Sequence, residues 1–66
     1  MTTFRIDVCD AYHLLLEAPN QKMAKDWLEG IPEPREKITM RVASQGERLD
    51  YVLNGFEVYD FSVPFG

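Results

Sequence analysis

The residues of this chain that could carry out chemistry are few, and the densest group of them lies near the amino terminus. Cys9 and His13 are four positions apart, and Asp7 precedes both. A thiol beside an imidazole can act as a nucleophile, and a carboxylate can orient the imidazole as a general base. Cys9, Asp10 and His13 would also be three metal ligands of mixed type, without a fourth at the usual spacing. We therefore expect neither a catalytic residue nor a metal site here, and we interpret Cys9 as an ordinary residue of a hairpin loop.

Length, composition and charge narrow the class of protein further. The 66 residues are 45% hydrophobic, which predicts one folded domain over residues 1–66. The formal net charge of −4 does not provide the basic surface of a nucleic-acid-binding protein, and it favours a protein partner with a basic surface. The four glycines are too far apart for a phosphate-binding loop. We expect a non-enzymatic protein without a cofactor.

Cysteine content and hydropathy indicate the compartment. A single cysteine excludes an internal disulfide bond, and the longest uninterrupted apolar run is Leu14-Leu15-Leu16. Such a run is far too short for a membrane span or the core of a secretory signal. We expect a cytoplasmic protein that does not associate with membranes.

The first eighteen residues carry the alternating pattern of a β-hairpin. Strands are predicted over Thr3–Val8 and Tyr12–Ala18, joined by the loop Cys9-Asp10-Ala11. This loop places Val8 opposite Tyr12 and Ile6 opposite Leu14, so that the apolar side chains share one face. His13 then lies on the other face, opposite Asp7.

One helix is predicted after this hairpin. Asn20 is a favourable N-cap, the helix runs to Glu29, and Gly30 follows where a left-handed residue commonly ends a helix. Its apolar stripe contains Met23, Ala24, Trp27 and Leu28.

Three more strands are predicted in the remainder of the chain, over Lys37–Ala43, Arg48–Leu53 and Phe56–Val63. Gln45-Gly46 and Asn54-Gly55 would be the two-residue turns between them. The resulting fold is α+β, with a single helix on one face of a five-stranded antiparallel sheet. Its element order is ββαβββ, and its strand order is 2-1-3-4-5.

This register divides the last third of the chain into two rows. Leu49, Tyr51, Leu53, Phe56 and Val58 would face the core. The outward row would pair Arg41 with Asp50 and place Arg48 beneath Phe61. Asp60 is turned toward the core unless a bulge or a strand end relieves it. Because exposed rings beside carboxylates suit a protein interface, the candidate partner-binding residues are Asp50, Val52, Glu57, Tyr59, Asp60 and Phe61.

The chain resembles the small phage-encoded anti-CRISPR proteins. What carries the likeness is a short acidic domain with one helix on an antiparallel sheet, and the strand-then-helix segment Tyr12–Glu29. The resemblance implies a stoichiometric inhibitor that acts in the host cytoplasm. It would contact a CRISPR-Cas effector protein at the site where that effector holds nucleic acid. Carboxylates can take the place of phosphates against rows of Lys and Arg. The resemblance implies no particular site residue.

Two other functions fit the same outward row. The first is a structural or assembly subunit, from a phage or a bacterium, whose outer face forms a homodimer. The second is a small RNA-binding module in which Tyr59 and Phe61 stack on bases.

Overall fold

A β-hairpin at the amino terminus forms the centre of the sheet. The computed structural model describes residues 1–65 and begins with β1 (Thr2–Val8) and β2 (Tyr12–Ala18). The two strands are antiparallel, with Ile6 opposite Leu14 and Val8 opposite Tyr12, as predicted. Cys9 and Asp10 have φ angles of 52° and 57°, and the Ala11 N–H donates to the Val8 carbonyl. Two successive positive φ angles give the type I′ geometry, whose twist matches that of the flanking strands.

The other two strands lie at opposite edges of this hairpin. β3 (Ile38–Val42) is antiparallel to β1, as predicted, and follows a single 3-10 turn at Arg35–Lys37. β4 (Val58–Asp60) is parallel to β2, so the sheet is mixed and its order is β3-β1-β2-β4. The α+β class is therefore confirmed. The five-stranded, all-antiparallel sheet of order 2-1-3-4-5 is wrong.

The helix α1 (Gln21–Leu28) confirms the predicted helix and its N-cap, and Glu29 is its C-cap. The predicted left-handed ending is wrong, because Gly30 does not have a positive φ, and Met23 of the predicted stripe is 41% exposed. The Asn20 side chain caps α1 by accepting from the Met23 N–H at 2.9 Å. Ala24, Trp27 and Leu28 are its buried residues. With one face of the sheet they form the main hydrophobic core, which consists of Phe4, Ile6, Val8, Leu14, Leu16, Ala18, Ala24, Trp27, Leu28, Ile31 and Ile38.

The segment predicted as the fourth strand is instead a second helix, α2 (Gln45–Leu53). Ser44 Oγ accepts from the Glu47 N–H at 3.1 Å, and Glu47 Oε1 accepts from the Ser44 N–H at 3.2 Å. This is the reciprocal capping box of a Ser-x-x-Glu sequence. The predicted hairpin turn at Gln45-Gly46 is wrong, because these are the two residues between Ser44 and Glu47 in the capping box and they begin the helix.

Asn54-Gly55 ends α2 and does not turn a hairpin. Gly55 has a φ of 78°, and its N–H donates to the Val52 carbonyl at 3.2 Å. The Phe56 N–H donates to the Tyr51 carbonyl at 2.9 Å, which completes a Schellman motif. The predicted strand Phe56–Val63 is thereby reduced to the three residues of β4, because its first residues are used to end the helix.

The two helices cover opposite faces of the sheet. α1 packs on the face that carries Ile6 and Leu16. α2 covers the face that carries Arg5, His13 and the fully buried Leu15. In the arrangement predicted from the sequence, this second face is open to solvent or a partner. Within residues 1–65, neither helix is long and apolar enough to cross a membrane.

Alanine substitution of two glycines distinguishes this helix from a hairpin. Gly55→Ala is expected to lower the free energy of unfolding by about 1–2 kcal/mol, because Gly55 has a left-handed conformation. Gly46→Ala is expected to raise it by up to about 1 kcal/mol, because Gly46 lies inside α2. The space for its Cβ is open, with Ser44 Oγ at 3.8 Å. Chemical denaturation measures both values. A loss of stability at both positions would fit the hairpin and contradict the helix.

Candidate functional site: an apolar surface on the second helix

The helix α2 directs polar contacts toward the sheet and aliphatic side chains toward solvent. Tyr51 is its only buried residue, and Glu47 forms an ion pair with the sheet residue Arg5. On the outward side, Leu49, Val52 and Leu53 are 58%, 55% and 74% exposed. A helix at the surface of a globular protein normally has the opposite arrangement, with its apolar stripe facing the core.

These outward residues form a candidate interaction surface. Leu49, Val52 and Leu53 have the i, i+3, i+4 spacing that places side chains on one side of a helix. Phe56, which is also exposed, is the last residue of the Schellman motif at the carboxyl end of α2. We refer to Leu49, Val52, Leu53 and Phe56 as the α2 surface. Apolar side chains grouped in this way are typical of sites where proteins associate.

Glu47 fixes the amino-terminal half of α2 to the sheet. Its two carboxylate oxygens accept from Arg41 Nη1 and Nη2, each at 2.7 Å, and Oε2 also accepts from Arg5 Nη1 at 3.2 Å. Hydrogen bonding to Arg41, and then to the Ser44 N–H, lowers the pKa of Glu47 from 4.5 to about 2. Arg5 also forms an ion pair with Asp7, in which Arg5 Nη2 donates to Asp7 Oδ1 at 3.2 Å. The helix is thus held by charge-assisted hydrogen bonds to Arg41, six positions away in the sequence, and to Arg5, 42 positions away.

Tyr51 fixes the carboxyl-terminal half of α2. Its hydroxyl forms a hydrogen bond with His13 Nδ1, and the two rings meet edge-to-face with centroids 5.4 Å apart. The Phe56 ring packs against both of these rings, with its centroid 5.4 Å from that of Tyr51 and 6.4 Å from that of His13. Burial is the main cause that raises the pKa of Tyr51. His13 lies opposite Asp7 in the strand register, as predicted, and its hydrogen bond joins the helix to the sheet.

The thiol and the imidazole considered from the sequence have different partners. Cys9 Sγ lies 3.6 Å from Glu33 Oε2, whereas His13 binds Tyr51. Burial raises the pKa of the Cys9 thiol, which reduces the fraction of thiolate. Among residues 1–65 no group of three or more His, Cys, Asp or Glu side chains could hold a metal ion. This arrangement offers packing and hydrogen bonding rather than a nucleophile paired with a base.

The charges beside the α2 surface are predominantly negative. Arg5 and Arg41 are paired with Glu47, and Arg48 Nη2 is paired with Glu17 Oε1 at 2.8 Å. Asp50 and Glu57 are exposed, and neither belongs to an ion pair among the described residues. The nearby arginines are therefore neutralised within the chain, which leaves two carboxylates free to meet a partner.

The candidate residues from the sequence are divided between the two faces of the sheet. Asp50 and Val52 lie on α2, and Glu57 lies between α2 and β4. Tyr59 lies in β4 with its ring 5.7 Å from that of Trp27, and Phe61 packs against the α1 core. These two rings therefore do not share a face with the arginines of the sheet.

Asp60 is exposed at the end of the short strand β4, which agrees with the strand-end alternative and not with a bulge. Its carboxylate accepts from the Ser62 N–H at 2.9 Å and from the Ser62 hydroxyl at 2.8 Å. The pKa of Asp60 is lowered by these two hydrogen bonds. This carboxylate stabilises a local turn.

Two predicted pairings are wrong, and so is part of the predicted core row, in which Tyr51 is buried as predicted and Val58 is half-buried. Arg41 pairs with Glu47 rather than Asp50, and Arg48 pairs with Glu17 rather than lying beneath Phe61. Leu49, Leu53 and Phe56 are exposed and not in the core, because residues 45–53 are helical and Phe56 ends that helix. The signal that could have revealed them is the Ser44-x-x-Glu47 capping box.

The lowered pKa of Glu47 predicts a specific loss of stability in acid. Because the pKa in the folded state is below the ordinary value, ionised Glu47 stabilises the fold above pH 4.5, and this contribution is lost as the pH falls through about 2. Glu47→Gln should therefore be less stable than wild type at pH 7. It should also lose less stability than wild type between pH 4.5 and pH 2, as measured by thermal unfolding.

Glu36→Gln is the control for this experiment, because Glu36 is exposed and forms no ion pair within residues 1–65. It should follow the wild-type curve more closely than Glu47→Gln does. If Glu47→Gln keeps the wild-type dependence on pH, the arginine contacts do not stabilise the fold as inferred.

Known proteins offer no further guide to this surface. Comparison of the chain with protein-family models, with curated proteins and with solved structures finds no match. The function must therefore be inferred from the contacts, exposure and charge of the α2 surface.

Proposed function

We propose that this chain is a non-enzymatic protein-binding domain whose partner docks on the α2 surface. The observation that carries the proposal is the reversed orientation of α2, which buries Tyr51 and leaves Leu49, Val52 and Leu53 in water. An amphipathic helix face of this spacing is the element that a hydrophobic groove on a partner accepts. Burial of such side chains would supply the main favourable term of association.

The charges around the surface support a partner with a basic rim. Asp50 and Glu57 are exposed and unpaired among the described residues, whereas the three nearby arginines already have carboxylate partners. Carboxylates at the rim of an interface attract Lys and Arg and increase the rate of encounter. A second copy of the chain fits this surface less well, because it would bring its own carboxylates to the same rim.

A CRISPR-Cas effector protein is the partner that we propose within this class. Support comes from the two features of the resemblance to anti-CRISPR proteins that do not depend on the predicted antiparallel sheet, the short acidic chain and the strand-then-helix segment Tyr12–Glu29. It comes also from the chemistry of effectors, which hold nucleic acid in positively charged channels. The α2 surface would dock beside such a channel, and Asp50 and Glu57 would contact its cations. Of the other two functions, RNA binding is less favoured because Tyr59 and Phe61 pack against Trp27 and the α1 core.

Substitution of Leu53 tests the docking surface. Leu53→Asp is expected to weaken binding to an effector complex at least tenfold, because it places a charge in the apolar centre of the interface. The fold should be retained, since Leu53 is largely exposed. Val63→Asp is the matched control, because Val63 is an exposed aliphatic residue whose carbonyl lies beside Trp27 on the opposite face.

Calorimetric titration of purified effector complexes with each variant provides the measurement. Equal affinities of Leu53→Asp and wild type would contradict docking on the α2 surface. Failure of wild type to form a complex with effectors of every type would contradict inhibition of CRISPR systems.

The rim carboxylates predict a dependence on salt. The double variant Asp50→Asn and Glu57→Gln should weaken binding several-fold at low ionic strength and much less at high ionic strength, because salt screens exposed charges. Titrations at about 50 mM and 500 mM salt compare the two conditions. An equal loss in both would mean that these carboxylates do not act through long-range attraction to a basic surface.

A further inference from the structure

The strand β3 leaves one edge of the sheet open. It pairs with β1 on one side and is the terminal strand of the sheet order on the other. Val42 is 63% exposed, and Met40 is half-buried. This edge consists of backbone groups of β3 and shares no residue with the α2 surface, so what occupies it is a separate question from the proposed function.

The hydrogen bonds that flank β3 show which of its backbone groups are free. The Ala43 N–H donates to the Thr3 carbonyl, and the Cys9 N–H donates to the Lys37 carbonyl, both at 2.9 Å. Backbone groups alternate in direction along an antiparallel pair. Those of Thr39 and Arg41 therefore point toward β1, and those of Met40 point outward.

Ile38 and Val42 point outward in the same alternation, and each has one group that is already engaged. The Ile38 N–H donates to the Arg35 carbonyl. The Val42 carbonyl accepts a long hydrogen bond, 3.4 Å, from Arg41 Nη1. Within the part of the chain that the structure describes, no hydrogen bond engages the Ile38 carbonyl, either backbone group of Met40 or the Val42 N–H.

The residues of β3 do not protect this edge. Natural edge strands commonly avoid association through proline, lysine, bulges or charges that point inward. The sequence Ile38-Thr-Met-Arg-Val42 contains one charged residue, and Arg41 is held by Glu47 on the α2 side of the sheet. The opposite side of the strand presents only apolar residues: Ile38, Met40 and Val42.

We propose that two copies of the chain associate through β3, in an antiparallel pairing with the two-fold axis at Met40. Each Met40 N–H would donate to the Met40 carbonyl of the other copy, and each Val42 N–H would donate to the Ile38 carbonyl across the axis. These are the outward groups that have no hydrogen-bond partner within residues 1–65 of one copy, so the strand is complementary to itself.

The side chains of β3 are also symmetric about Met40. Ile38 would face Val42 of the second copy, and the two Met40 side chains would face each other, which covers the exposed part of Val42. Thr39 would face Arg41 of the second copy, so no two like charges are directly opposite. This symmetry favours a second copy over an unrelated strand. In the dimer, both α2 surfaces would lie on the same side of the continuous sheet.

Amide hydrogen exchange followed by NMR at low and high protein concentration tests the pairing directly. In the dimer, the Met40 and Val42 amides should become protected at least tenfold as the concentration rises, while Thr39 and Arg41, bonded to β1, should be protected at both concentrations. Light scattering should show the mass rising from the 7.7 kDa of one chain toward twice that value.

Two variants locate the interface. Val42→Lys introduces a charge opposite Ile38 of the second copy and should raise the dissociation constant of the dimer at least tenfold, without unfolding a chain in which Val42 is exposed. Leu53→Lys, on α2, should leave the dimer unchanged. Met40 and Val42 amides that stay unprotected at every concentration would overturn the proposal, as would a dimer that Leu53→Lys dissociates and Val42→Lys does not.

Discussion

The contact between Glu47 and its two arginines is the interaction on which the second half of the structure depends. The same carboxylate accepts from the Ser44 N–H at the start of α2 and from Arg5 and Arg41 on the sheet. It therefore contributes to helix formation and to helix position at once. A helix of nine residues is too short to persist in water without tertiary contacts, so this anchor and Tyr51 decide where α2 lies.

This mode of attachment explains why α2 exposes aliphatic residues. The sheet face beneath it presents Arg5, Asp7 and His13, around the single buried leucine Leu15. A helix that satisfies these groups must direct its own polar residues inward. Leu49, Val52 and Leu53 then have no apolar layer to pack against within the described chain, and an interaction with another protein is the use that we propose for them.

Sequence reasoning succeeded where one local pattern allowed one structure, and it failed where a pattern allowed two. The register of β1 with β2, the antiparallel position of β3 and the capped helix α1 follow from alternation, loop length and the Asn20 cap. Asn54-Gly55 serves equally as a hairpin turn and as the end of a helix, because both need a residue with positive φ. The Ser44-x-x-Glu47 capping box is a local pattern that favours the helix. The contact between Arg5 and Glu47, 42 positions apart, also favours it, but no local pattern contains that contact. The candidate site was predicted in part for the same reason: Val52 belongs to the α2 surface and Asp50 and Glu57 lie near it, whereas Tyr59 and Phe61 belong to the opposite face.

The most direct test of the central claim is methyl NMR of the free protein and of its complex with a purified effector, each with a soluble paramagnetic agent. In the free protein, the methyl signals of Leu49, Val52 and Leu53 should broaden strongly, whereas those of the buried Leu14, Leu15 and Leu16 should not. In the complex, the three α2 signals should become protected while that of Val63 stays accessible. Protection of Leu53 in the free protein would contradict the outward orientation of α2, and continued access to it in the complex would contradict its role in binding.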